Sequence, residues 1–309
     1  MKIKLLLIFT VSGMLFFTEI KSQGCSDAGF CTIGNMKQHL DGEQSVKKQK
    51  ITVLLANGIG DENVYVFTPA IQYDNTLNKY WSIQARVTAN YASGNLGNAT
   101  GLGDLFLSGS YTFKKTGKWQ TALLLGTKIF LNSSNILIGG KPLPMPYQSS
   151  LGTVDLLTGI SVTNDTWFFS TALQQPLTGI NGNTFLPEYW DTPEASKYFP
   201  TNNFNRKGDV LLKAGYTLLS GNRFKLNIGM LGIYHLGNDT YINGNVSNQP
   251  IVLVGSQGLT LNGIAAALYR VNNKFSIGLA GGVPFVVRDI RPDGLTRKFV
   301  LSPEFIFNF

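Results

Sequence analysis

The sequence predicts an all-β protein: a closed antiparallel up-and-down transmembrane β-barrel of twelve strands, with a short N-terminal plug segment. Three observations predict it. Long stretches alternate polar and apolar residues without a break. The connections between them alternate short and long. Aromatic rings collect beside the short ones. The stretch Trp81–Tyr91, WSIQARVTANY, shows the first feature plainly. Trp81, Ile83, Ala85, Val87, Ala89 and Tyr91 form one face, and Ser82, Gln84, Arg86, Thr88 and Asn90 form the other. Period-two alternation is the mark of a strand with two different environments on its faces.

Composition agrees. Of 309 residues only 14% are charged, against about 25% in soluble domains, and 12% are aromatic. Mean hydropathy is close to zero, because Asn, Gln, Ser, Thr and Gly stand where charges are missing. The basic residues are scattered, with no basic-aromatic patch for nucleic acid and no Gly-rich phosphate loop before a helix.

Residues 1–22 read as a signal peptide: a basic MKIK, then an apolar run Leu5–Phe17 too short to span a bilayer as a helix. Its removal takes away three lysines and one glutamate, lowering the net charge from +8 to about +6. The mature protein is expected to be exported, to the outer membrane of the cell. Residues 23–48 show no strand period and are expected to form a periplasmic plug segment at the base of the barrel, which occupies 49–309. This segment holds the only cysteines, Cys25 and Cys31. In an oxidising compartment a disulfide between them is expected; a soft-metal thiol pair with His39, a redox pair or free thiols are the alternatives. No cofactor and no structural metal site is expected.

From there the strands follow near 49–56, 64–73, 80–92, 102–113, 119–130, 152–163, 167–175, 208–219, 224–236, 257–271, 274–286 and 297–309. Most have the length that a tilted strand needs to cross a bilayer, about 9–11 residues. Five connections are short: 74–79, 114–118, 164–166, 220–223 and 272–273. They alternate with 57–63, 93–101, 131–151, 176–207, 237–256 and 287–296, several of them long. Alternate connections of a meander share one rim, so the short turns lie together, as periplasmic turns do in outer-membrane barrels. Trp81, Trp119, Trp167, Phe224 and Phe275 each follow a short turn, the position of an interfacial aromatic girdle. The chain ends in an aromatic strand, and Phe305, Phe307 and Phe309 form the expected signal for the barrel assembly machinery. A soluble sandwich explains neither the loop sorting nor the girdle.

The face opposite the aromatics is expected to line the lumen. Its ionisable residues are Arg86, Asp104, Lys128, Asp155, Asp209, Lys213, Lys225, His235, Arg270, Lys298 and Glu304, joined by Gln84, Asn90, Ser108, Ser110, Gln174, Asn227, Asn262 and Ser302. These charges either pair across a narrow lumen or line a pore with a slight basic excess. Loop 176–207 carries six aromatic residues and either folds into the mouth or covers the surface.

The segment TGLGDLFLSGSYTF (100–113), through Gly101, Gly103 and Asp104, resembles a strand of the outer-membrane proteins grouped as a phenol-degradation (MetA-pathway) transporter family, distantly similar to fatty-acid and aromatic-hydrocarbon channels. The resemblance covers one strand. It implies passive uptake of small aromatic, hydrophobic or weakly anionic molecules by a barrel standing in outer-membrane lipid, sometimes with the lumen plugged from the N-terminus. The quite polar inner face departs from a purely hydrophobic conduit. A sealed structural or adhesion scaffold is the alternative, and an outer-membrane lipid hydrolase a further one. For a hydrolase, His235 would have to face lipid, and its phase turns it inward. A monomer is the default state.

Overall fold

The computed structural model describes residues 48–295 and 297–309. The signal segment 1–22, Cys25, Cys31, His39 and all of the plug segment except Lys48 lie outside the described residues. Among the described residues sixteen strands follow in chain order: β1 (Gln49–Gly60), β2 (Tyr65–Thr76), β3 (Trp81–Gly94), β4 (Gly97–Thr112), β5 (Gln120–Phe130), β6 (Leu137–Ile138), β7 (Lys141–Pro142), β8 (Asp155–Thr163), β9 (Trp167–Pro176), β10 (Asp209–Ser220), β11 (Phe224–His235), β12 (Thr240–Asn243), β13 (Ser247–Val252), β14 (Gly258–Arg270), β15 (Phe275–Val286) and β16 (Arg297–Asn308). Twelve of them form one closed barrel in which each strand pairs antiparallel with the next. Closure is made by β1 on β16, in register from Lys50↔Asn308 and Ile51↔Phe307. The pairs β6–β7 and β12–β13 are small hairpins inside the long connections, and the sequence pattern had read those segments as loop.

Closure removes every strand edge, which is what a sheet in hydrocarbon requires. The outer face is apolar to mid-strand: Ile71, Leu125 and Leu212 are each 62% exposed. Toward the short turns it ends in Trp81, Trp119, Trp167, Phe224 and Tyr269, all exposed. Trp167 stacks on Phe169 and meets Tyr216 edge-on at 4.8 Å, so neighbouring strands share one ring belt. Asn78, Asn164 and Asn272 each accept two backbone N–H bonds inside a short turn, the Asx chemistry that lets these turns be tight.

One expected loop is absent. Residues 93–101 continue as strand, with Ala92↔Ala99 and Ser93↔Asn98 paired up to a two-residue turn at Asn95–Leu96. Its polar residues look like loop because this end of the hairpin no longer faces lipid. Ala92, Leu96 and Ala99 are buried instead against the long connections.

The interior also differs from the expected polar lining. Phe106, Leu124, Leu157, Ala172, Leu211, Leu231 and Ile233 form one buried apolar cluster contributed by β4, β5 and β8–β11. Half of the barrel is thereby filled like a soluble core. The open space lies mainly along β1–β3 and β14–β16 and reaches β10 and β11 at Lys213 and Asn227.

Candidate functional site

The long connections fold inward and form a cap over one end of the barrel. Residues 142–153 are buried throughout. Tyr147 is the anchor: its hydroxyl accepts the Leu96 backbone N–H at 3.1 Å and meets the Tyr198 hydroxyl at 3.1 Å. A side chain at Gly94 would lie 2.3 Å from that oxygen, so glycine is required there. Val64, Leu143, Phe185, Ala195 and Tyr198 pack around it. Met145, Leu151, Phe204 and Leu295 form a second apolar cluster beside it. Loop 176–207 therefore folds into the mouth, which decides between the two alternatives open at the sequence level.

The GLGD residues form the seat of this cap. A Cβ on Gly101 would meet Asn132 Nδ2 and Ser149 Oγ at 2.5 and 2.7 Å. One on Gly103 would meet Thr88 Oγ1 and the Ser149 carbonyl at 2.3 and 2.9 Å. The register of β3 on β4 slips at Val87/Ala89, which turns both Gly103 and Asp104 inward. Asp104 then accepts the Ser150 hydroxyl at 2.5 Å, and Asn90 donates to the Gln148 carbonyl at 3.1 Å.

Buried charges tie the cap to the wall. Lys128 and Asp155, 1% and 0% exposed, pair at 2.9 Å; Lys128 also donates to Thr153, and Gln174 to Asp155. A larger network joins three chain segments. Asp209 bonds Arg206 and, at 2.7 Å, His235 Nδ1. His235 Nε2 lies 2.8 Å from Asp239, and Arg288 lies 3.8 Å from the other oxygen of Asp239. Asp293 bonds both Arg288 and Arg206. Burial opposes ionisation of Asp293, but Arg288 and Arg206 outweigh it and hold this carboxyl well below the ordinary range. Burial likewise opposes charge on Arg206, and Asp209 and Asp293 keep that guanidinium firmly charged. Both ring nitrogens of His235 thus face carboxylate oxygens.

Under the cap lies the main cavity, about 1060 Å³ counting the space open to solvent. Leu54, Ala56, Ala70, Ile264, Ala266, Ala280, Gly282 and Val300 give it small apolar walls, and Arg86, Lys213, Asn227, Ser302 and Glu304 bring polar groups to it. Arg86 donates to Gln72 at 2.9 and 2.6 Å, and Lys213 lies 5.6 Å from the Phe168 ring centroid. Gly278 leaves room for the Glu304 side chain, 3.2 Å from where a Cβ would stand. A smaller cavity between this one and the cap shares Thr68 and Thr88 with it and includes Asp104, Ser149, Ser150 and Arg297.

The structure thus separates the residues expected to line one pore. Arg86, Lys213 and Glu304 meet at the main cavity, and Asp104 at the smaller one. Lys128 and Asp155 are locked together, and Asp209 and His235 are drawn into the network at the base of the cap. Lys225 and Arg270 are half-buried near the short turns and line neither cavity. Lys298 is displaced: a register shift at Ile59/Gly60 puts Arg297 inward, 4% exposed, and leaves Lys298 at the rim, donating to Asn63 at 2.7 Å. Phe307 and Phe309 are exposed, with Phe307 5.1 Å from Phe275; Phe305 is half-buried and pairs with Val53 and Ile277. His235 faces inward with both nitrogens on carboxylates, so it has no free lone pair to activate a serine. Sequence reading missed Arg206, Asp239, Arg288 and Asp293. The signal was present in RDIRPD (288–293), four charges in six residues of a charge-poor chain.

No protein-family model matches the sequence, and no curated protein matches it. Solved structures with similar architecture include the KdgM porin, 8% identical with a TM-score of 0.45, covering 84% of this chain and 99% of that one. The CymD monoaromatic hydrocarbon channel is 10% identical with a TM-score of 0.43, over 91% of this chain and 92% of that one. A Salmonella typhi outer membrane phospholipase is 10% identical with a TM-score of 0.37, over 84% and 90%.

Proposed function

We propose that this chain is a passive outer-membrane channel for small solutes with a mainly apolar body, closed outside by the loop cap and inside by residues 23–48. The observation that carries this reading is the main cavity: apolar walls with a few convergent polar groups, the lining typical of small-molecule sites. Its continuation toward the cap through Thr68 and Thr88 supports a route along the lumen rather than an isolated void. The slight cationic excess of Arg86 and Lys213 over Glu304 tolerates weak anions. In this reading the barrel works as a monomer in outer-membrane lipid, Phe305, Phe307 and Phe309 are the assembly signal, and residues 1–22 direct export.

The test is single-channel conductance and solute flux of refolded mature protein, beside versions lacking residues 23–48 or carrying a shortened loop 179–203. The closed channel should conduct little, and removing both closures should open it. Silence from every version, with heat-modifiable gel mobility showing folded barrels, rejects a channel. That outcome favours the second reading, a sealed scaffold, for which the apolar filling of half the lumen speaks.

A further inference from the structure

We infer that the main cavity binds an apolar solute bearing one neutral head group that both donates and accepts a hydrogen bond, such as a hydroxyl or primary amide, and that Asn227 holds that head. Asn227 projects inward from β11, is 2% exposed and lines the cavity. Neither its Nδ2 nor its Oδ1 has a hydrogen-bond partner. A buried amide with both halves unpaired carries a penalty that a matching ligand group relieves. Its ladder partner across the strand pair is Ala266, which pairs in turn with Ala280. Both lie on the cavity wall, so small apolar side chains stand beside the amide and leave space for the body of a solute.

The charges near the cavity are engaged otherwise. Arg86 is held by Gln72, and Lys213 lies over Phe168. The unsatisfied Asn227 amide among these lining residues is neutral, and it offers one donor and one acceptor direction. A hydrocarbon leaves it unpaired, and a carboxylate accepts from the amide N–H but returns no donor to its oxygen. Nearer the cap along β14, Asn262 and Thr260 are also buried with unpaired polar atoms, Asn262 at both ends of its amide. The neutral polar groups therefore continue along β14 above Asn227.

This inference rests on the channel reading for its biological sense, but its test does not. Refolded full chain in detergent is titrated with benzyl alcohol, toluene and benzoate, with the Asn227 side-chain NH2 resonance followed by NMR. Benzyl alcohol should bind about tenfold more tightly than toluene, the combined fold-change of the two recovered hydrogen bonds, and should shift that resonance. Asn227→Leu should erase the preference, and Ala266→Leu should abolish binding of both solutes by filling the cavity. Equal binding of alcohol and toluene, a preference that survives Asn227→Leu, tightest binding of benzoate, or no ligand-dependent shift of the amide each overturns the inference. The wild-type resonance decides the matter even if a variant fails to fold. Preferential binding without flux in proteoliposomes would keep the site and reject the channel.

Discussion

Gly103 shows what a single residue decides in this barrel. Read in sequence, Gly101 and Gly103 were a motif without a reason. In the structure they are two of the places where the chain of the cap lies directly on the wall, and any Cβ there collides with Ser149, Asn132 or Thr88. Gly103→Val should push the cap off β4 at a cost of about 1–3 kcal/mol, typical of overpacking. The expected result is faster proteolysis within residues 131–154 with unchanged heat-modifiable mobility of the barrel. The roles of Arg86 and Glu304 were partly legible, because strict alternation told which face they share. Their meeting at one cavity was not, since β3 and β16 are far apart in sequence.

At the scale of the element, the connection 287–295 is the latch of the cap. Asp293 reaches Arg206 and Arg288, and Arg291 bonds Asp61 at 3.0 Å on the first loop. Asp293→Asn leaves two buried guanidiniums short of a counter-charge, and breaking such pairs costs about 3–5 kcal/mol. The cap of that variant should unfold before the barrel, seen as an earlier loss of loop protection in hydrogen exchange. The sign of the pH effect follows from the depressed carboxyl. Its stabilisation is present above the unfolded-state value, about 3.9, and is lost as pH falls through the lower folded-state value. Conductance of the version lacking residues 23–48 should therefore stay low from pH 7 to about pH 4 and rise only below it. Strand elements were readable from period two. Loops were not, because their burial depends on residues such as Phe185 and Phe204 finding partners on other connections.

At the scale of the whole molecule, two solvents set the pattern: hydrocarbon outside and a half-filled lumen inside. Leu125 at mid-strand is 62% exposed on the outer face, whereas Arg86 is 4% exposed inside. Leu125→Arg should cost about 2–4 kcal/mol in lipid, measured as a lower midpoint of urea unfolding in vesicles. The same exchange on a soluble β-surface would be nearly neutral, so an unchanged midpoint would refute a membrane-spanning barrel.

The sequence by itself determined the number of barrel strands, most of the sorting of the connections, the girdle and the inward or outward phase of most residues. All of these rest on period two and on neighbours in the chain. Only the tertiary structure decided that the cap folds inward, that Lys128 with Asp155 and Asp209 with His235 leave the pore lining for buried pairs, and that Arg297 rather than Lys298 turns inward. It also decided that Phe106, Leu157 and Leu231 fill half the lumen, leaving a cavity beside an unpaired Asn227. The physical reason is that closing a sheet brings residues from opposite strands within contact distance, and no local period records which ones meet or where a bulge shifts the phase.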